Sequence, residues 1–186
     1  MIVNCVVGQA GSGKSTFIEK NFPSEEYIFF NVGKILRSMF SCLKKEQDNK
    51  NVWEFANPFV YSTLKHCCLV SESTGHDVVL DGFPRDETQL SHMDRYLSTP
   101  ELGKVEVVIH ALDINRSEQI KRIKDRNGSV DNYQEQRVDQ SRTDFDNIVE
   151  ALEHIFISGN SPISYKIKWY NQVDGGFVFS REATNR

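Results

Sequence analysis

The sequence has no apolar run that approaches the roughly 18 residues needed to cross a bilayer. Its opening residues, MIVNCVVGQ, lack the positive flank and the cleavage site of a secretory leader. Both absences predict a cytoplasmic protein with no membrane partner. The four cysteines, Cys5, Cys42, Cys67 and Cys68, show no C-x-x-C spacing, so neither a zinc site nor a redox pair is signalled. Cys67 and Cys68 stand in an apolar stretch and read as small core residues. A basic excess is missing as well: the net charge is −4 and the pI about 5.7. Proteins that coat nucleic acid carry strong positive charge, which makes DNA a disfavoured partner without excluding a local basic patch. None of the histidines (His66, His76, His92, His110, His154) falls in a nucleophile or metal pattern, and no Ser-His-Asp arrangement is signalled. There is no internal repeat and no low-complexity linker.

What remains is a chain of 186 residues with an ordinary apolar share of 39%, enough for one domain with a buried core. Short apolar runs predict strands at Ile2 to Val7, Tyr27 to Phe30, Val78 to Leu80, Val105 to Leu112 and Lys166 to Val173. Helices are predicted between them, at Lys14 to about Lys20, Gly33 to about Lys44 and Ser117 to about Arg126. Asn57-Pro58 reads as the start of another helix running to about Ser71, because Asn caps free N–H groups and Pro suits the first helical position. Phe145, Ile148, Val149, Leu152 and Phe156 recur at helical spacing and mark an amphipathic helix. The polar stretches 45–52 and 127–136 read as loops, and the tail after Gly176 is too short for a further substantial helix. Alternating strands and helices predict an α/β protein of three layers, a central parallel sheet of five strands flanked by helices.

The strongest motif is Gly8-Gln9-Ala10-Gly11-Ser12-Gly13-Lys14-Ser15, which fits G-x-x-x-x-G-K-[ST] without a mismatch. Glycines Gly8, Gly11 and Gly13 let the backbone wrap closely and aim N–H groups at phosphate oxygens. The helix that follows adds its positive N-terminal end. Lys14 supplies charge for the β and γ phosphates, and the Ser15 hydroxyl supplies a ligand for Mg²⁺. An apolar strand before the motif and a helix pattern from Lys14 through Thr16 onward give it the context it requires. ATP with Mg²⁺ is therefore the expected cofactor, bound by Gly8, Gly11, Ser12, Gly13, Lys14, Ser15 and Thr16.

A second informative stretch is Asp81-Gly82-Phe83-Pro84-Arg85, with Gln89 four residues further on. Asp81 ends a buried strand, where α/β sheets place their ligands, and its carboxylate suits the waters around Mg²⁺. Gly82 permits close approach, and Arg85 offers a fork of donors to a phosphate.

Asp-Gly-Phe-Pro-Arg followed by this Gln resembles the signature of the adenylate kinase family of nucleoside monophosphate kinases. Further segments resemble the family in order along the chain: Val32 to Arg37, Arg122 to Arg126, and Val173-Asp174-Gly175-Gly176. The resemblance implies a P-loop kinase that transfers the γ-phosphoryl group of ATP to a small-molecule nucleotide acceptor. Arg37 and Arg85 would grip the acceptor phosphate, and Gly33, Gly82 and Gln89 would help hold the acceptor. Arg122 and Arg126, four apart and so on one helix face, would contact ATP. Arg142, in an Arg-x-Asp context, would close over the reacting group, with Arg137 as the alternative. Gly175 would lie near the donor adenine. The resemblance also implies a single domain over 1–186 with a helical acceptor-binding insertion at about 33–72 and a lid at about 122–142, acting as a monomer.

The chain departs from the family pattern at named positions. The family's Thr-Gly-Asp is Val32-Gly33-Lys34 here, the acceptor-base loop contains Trp53 and Phe55, the lid is short, and a last lid arginine has no match near Ala151 and Glu153. Two further readings stay open on these grounds: a P-loop kinase for an unusual acceptor such as a modified nucleotide or a base in DNA, and a nucleotide-binding regulatory protein with weak catalysis.

Overall fold

A computed structural model describes residues 1–39, 50–159, 161, 163–173 and 176–184. Among the sequence-based expectations, Cys42, Gly175 and the side chains of Arg37, Trp53, Phe55 and Phe156 lie outside the described residues. Among the described residues, no helix is long and apolar enough to cross a membrane.

The protein is a three-layer α/β structure around one sheet. Its strands are β1 (Ile2–Gly8), β2 (Tyr27–Asn31), β3 (Asp77–Asp81), β4 (Glu106–Asp113), β5 (Ser164–Val173) and β6 (Gly176–Thr184), in the order β2-β3-β1-β4-β5-β6. The first five are parallel to one another, as the sequence pattern predicts. Strand β1 sits in the middle with Val3, Asn4, Cys5, Val6 and Val7 all buried, because helices cover both of its faces. Parallel pairing aligns the C-terminal ends of β1 to β4, so Gly8, Asn31, Asp81 and Asp113 end their strands on one edge. The helices are α1 (Lys14–Asn21), α2 (Val32–Met39), α3 (Lys50–Thr74), α4 (Glu87–Leu97), α5 (Arg116–Asn127) and α6 (Asn132–Ser158).

Four features differ from the sequence-based expectation. The sheet has a sixth strand: β6 pairs antiparallel with β5, so the tail is a strand where no element was expected. Backbone pairing from Lys166–Thr184 to Val173–Gly176 holds it, and side-chain contacts that the tail alone does not reveal add to this, with Arg181 over the Trp169 ring at 4.3 Å and Lys166 at 3.7 Å from Glu182. Helix α3 does not start at Asn57-Pro58 but runs through it. Ala56, Val60, Tyr61, Leu64 and Cys68 form one buried face across that point, and their burial outweighs the single backbone hydrogen bond that Pro58 lacks. Asn57 instead accepts a hydrogen bond from Gln89 Nε2 at 3.3 Å.

The third difference is α4, which the sequence reading missed. Asp86 caps it by accepting from Gln89 N at 2.8 Å, and Leu90, Met93 and Leu97 carry its buried face. Last, residues 127–136 are not a loop. Gly128 closes α5 in the left-handed conformation, and Asp131 opens α6 with a capping box completed by Gln134. Only 128–131 join two long helices, and Arg116 donates to Asp139 at 2.7 Å between them. On α6, Phe145, Ile148 and Leu152 are buried as the spacing predicts.

Cys5 and Cys68 lie in the core, and burial pushes the Cys68 thiol up to about 12, which suits packing rather than reactivity. A polar pair also crosses the core: His110 on β4 shares a hydrogen bond of 3.1 Å between its Nε2 and Asn4 Oδ1, and Tyr170 Oη lies 3.2 Å from its Nδ1. Burial lowers the His110 pKa to about 4, with Lys168 acting in the same direction. In the unfolded chain the imidazole titrates near 6.5. Between pH 6.5 and 4 the unfolded state therefore binds a proton that the folded state refuses. Stability from this group is complete above pH 6.5 and falls as pH drops to 4. Relative to His110→Gln, the wild type should lose about 3 kcal/mol over that window in denaturant titrations.

Candidate active site

The loop between β1 and α1 is shaped by what cannot fit in it. A Cβ at Gly8 would stand 2.7 Å from the Leu112 carbonyl oxygen of β4 and 2.8 Å from Ser12 Oγ, so the turn leaves the sheet where only a hydrogen is tolerated. Gly13 caps α1 at φ 93°, a left-handed conformation that glycine adopts without strain. Among the described residues no side chain caps the first turn of α1, and no acid lies in that turn, so its N–H groups keep their positive end open to an anion.

Other elements brace this loop. Ser141 Oγ of α6 accepts from Ala10 N at 3.1 Å, Asp113 at the end of β4 accepts from Gln9 Nε2 at 2.9 Å, and Ser12 N donates to Gln9 O at 3.1 Å. From α5, Arg122 Nη1 donates to Ser12 O at 3.2 Å while its Nε donates to Glu118 Oε1 at 3.1 Å. Ser12 itself is buried, and its hydroxyl has no hydrogen-bond partner among the described residues.

Lys14 folds back over the loop, its Nζ donating to Gly8 O at 2.8 Å and Gln9 O at 3.0 Å. Burial lowers its pKa to about 8; Asp81 acts against that shift and Arg85 with it. The ammonium is thus held in a place where charge is costly until a negative group arrives.

A cleft of about 900 Å³ opens above the loop. It is lined by Gly11, Gly13, Lys14, Ser15 and Thr16 from the loop and α1, and by Asp81, Gly82 and Arg85 from the end of β3. Gly33, Arg122 and Arg126 complete the set of expected residues that meet there. Arg85 Nε donates to Gly82 O at 3.2 Å, and its backbone N donates to Gln89 Oε1 at 2.9 Å. Five other expected residues, counting Arg137 as the alternative to Arg142, do not line the cleft. Gly8 and Ser12 lie in the loop itself. Gln89 is buried between Arg85 N and Asn57. Arg142 donates to Ile114 O at 2.8 Å and so braces α6 against the end of β4, while Arg137 lies over Tyr133.

The sequence reading missed Asn31, Ser141, Asp113, Tyr170 and Phe177. Asn31 is a cleft residue whose Nδ2 donates to Asp81 and whose Oδ1 accepts from Lys34 N at 2.6 Å, which caps α2. An Asn immediately before the α2 pattern was the available signal. For the others, which act from distant parts of the chain, no local signal existed.

These features fit a nucleoside triphosphate with Mg²⁺. The open first turn of α1 and the Lys14 ammonium suit phosphate oxygens, and the Ser15 hydroxyl with the Asp81 carboxylate is a set of hard oxygen donors that suits Mg²⁺. Strand order, loop and cleft together define a P-loop NTPase fold. More narrowly, the chain belongs to the AAA domain family (AAA_17), whose model matches residues 7–139. No curated protein matches the sequence. Among solved structures, a chain of the Pnkp1/Rnl/Hen1 RNA repair complex is similar in fold, with a TM-score of 0.58 and 18% identity. That match covers 80% of this chain and 45% of the other, so this chain spans less than half the length of its neighbour.

The Lys14 shift has a measurable sign. Its folded pKa of about 8 lies below the usual 10.5, so the unfolded state holds more protons between these values. The penalty is fully present below pH 8 and gone above 10.5. Without ligand, the wild type should gain stability relative to Lys14→Met as pH rises through that window, read from melting temperatures at each pH. A second expectation concerns the loop. Gly8→Ala should destabilise the protein by roughly 1–3 kcal/mol through overpacking against Leu112, and should abolish nucleotide binding in the protein that still folds.

Proposed function

We propose that this protein is a nucleoside monophosphate kinase of the adenylate kinase type, which transfers the γ-phosphoryl group of ATP-Mg to a nucleoside or deoxynucleoside monophosphate. The observation that carries this reading is that Arg85 lines the same cleft as Lys14 and Ser15, on a turn tied to the end of β3. A guanidinium across from a phosphate loop is the arrangement that brings two phosphates into line.

Each residue has a part in this reading. The Lys14 ammonium leaves the Gly8 and Gln9 carbonyls to meet donor phosphates, whose negative charge offsets the cost of its burial. Arg122, already at the loop, stays beside the donor, and Arg126 lies one turn along α5. Arg85 and Arg37 take the acceptor phosphate. Arg142 reaches the transferring group only by leaving Ile114, and Gln89 reaches the acceptor base only by releasing Asn57. Ser15 and Asp81 would hold Mg²⁺, which when bound neutralises charge on the transferring group. The α5–α6 hairpin serves as the lid and 33–72 as the acceptor-binding insertion, and exclusion of water by the lid protects ATP from hydrolysis.

One observation favours a second reading. Both amide atoms of Gln89, the residue that the family resemblance assigns to the acceptor base, are engaged inside the protein. An acceptor recognised by its phosphate alone, such as a modified nucleotide or a nucleotide in a polynucleotide, needs no contact from Gln89.

The test is a product assay with ATP-Mg and a panel of ribo- and deoxyribonucleoside monophosphates, modified nucleotides, a DNA oligomer and an RNA oligomer. The RNA oligomer is included because the fold neighbour belongs to an RNA repair complex. Diphosphate formed from one mononucleotide, and none by Lys14→Ala, is expected. Label on an oligomer alone selects the second reading, and silence on every acceptor leaves a nucleotide-binding protein without this catalysis. Arg85→Ala should lower acceptor turnover about a hundredfold while ATP affinity holds; equal loss of both sinks the assignment of Arg85.

A further inference from the structure

Strand β6 lies beyond residue 139, where the family match ends, and it adds an antiparallel strand to an otherwise parallel sheet. It also brings an aromatic ring into the cleft, Phe177, which no step above uses. The ring sits at the mouth of the phosphate loop. A Cβ placed on Gly13 would be 3.5 Å from Phe177 Cε2 and 3.2 Å from Arg122 Nη1. The ring is fixed in orientation by Phe17 of α1, which it meets edge-to-face at 5.8 Å and 89°. Phe17 in turn packs on Tyr170, at 4.8 Å and 64°, and Tyr170 lines the same cleft. Phe177 is only partly buried, so the wall is not closed over it.

Phosphate oxygens need N–H donors, which the loop and Lys14 already supply, and a hydrocarbon ring offers them nothing. A flat apolar surface beside a phosphate site suits the other end of a nucleotide. Every nucleobase has a π face, and stacking on a preoriented aromatic ring contributes affinity without costing rotamer freedom at the moment of binding. We propose that Phe177 is a binding residue for the donor, stacking on its nucleobase, so that β6 supplies an aromatic platform to the donor side of the cleft. This rests on the donor half of the function proposed above and is independent of the acceptor.

The experiment compares Mg-ATP with Mg-tripolyphosphate, which has the phosphates but no base. Binding of each is measured by calorimetry to the wild type, Phe177→Ala and Phe177→Tyr, with thermal melts to confirm that each variant folds. Phe177→Ala should weaken ATP binding roughly tenfold or more and leave tripolyphosphate within about twofold, while Phe177→Tyr restores ATP. In turnover, the KM for ATP should rise while kcat holds. Unchanged ATP affinity in Phe177→Ala overturns the proposal, as does parallel loss of both ligands, which would make β6 a support for the loop alone. A wild type that binds neither ligand removes the donor reading itself, and this proposal with it. Phe177-dependent ATP binding without turnover on any acceptor keeps this proposal and removes only the kinase assignment.

Discussion

The nucleotide end of this molecule depends on the absence of one methyl group. At Gly8 the chain must leave β1 and turn back over the sheet while the carbonyl of Leu112 stands where a Cβ would go. Because that contact is backbone on backbone, no rotamer change can relieve it. The turn therefore begins at one fixed point, and the rest of the loop inherits its position. From there Gly13 can reach the start of α1, the first turn of α1 faces the cleft, and Lys14 finds the carbonyls of Gly8 and Gln9 within hydrogen-bond reach. The topology makes this useful. Parallel pairing of β3, β1 and β4 puts Asp81, the loop and Asp113 side by side, although they are far apart in sequence.

Electrostatics at the loop are arranged for an incoming anion. Lys14 and Arg85 repel one another, Asp81 offsets part of that, and Arg122 is drawn in by Glu118 and the Ser12 carbonyl. A cluster of this kind is a preorganised field: the cost of assembling like charges falls on folding, and a bound phosphate relieves it.

What the sequence made legible was whatever is local. The Gly8–Ser15 segment and the Asp81–Arg85 turn are runs of consecutive residues whose chemistry dictates their shape, and the inner strands β1, β3 and β4 read clearly because burial on both faces leaves them mostly apolar. The misreadings share a physical cause in tertiary context. Pro58 is a helix-starting signal in isolation, but a continuous buried face from Ala56 to Cys68 carries the helix through it. The polar stretch after Arg126 looked like a loop because its helix caps, Gly128 and Asp131, stand only three residues apart. Strand β6 has a half-exposed sequence whose partners, Trp169 and Lys166, come from the neighbouring strand. In the site, Ser141 and Asp113 brace the loop from 131 and 104 residues away, distances over which a single sequence carries no pairing information.

The bond from Ala10 to Ser141 also makes the loop part of a machine larger than itself. Helix α6 has 27 residues, a rod of about 40 Å, and Ser141 grips the loop from a point roughly a third of the way along it. Beyond that point the rod is wedged into the core by Phe145, Ile148 and Leu152, while its other arm runs past the buried Val138 and the Arg116–Asp139 pair to the Gly128–Asp131 turn. The phosphate loop and the Gly128–Asp131 turn are thus held to one another through a single rigid rod rather than through the sheet.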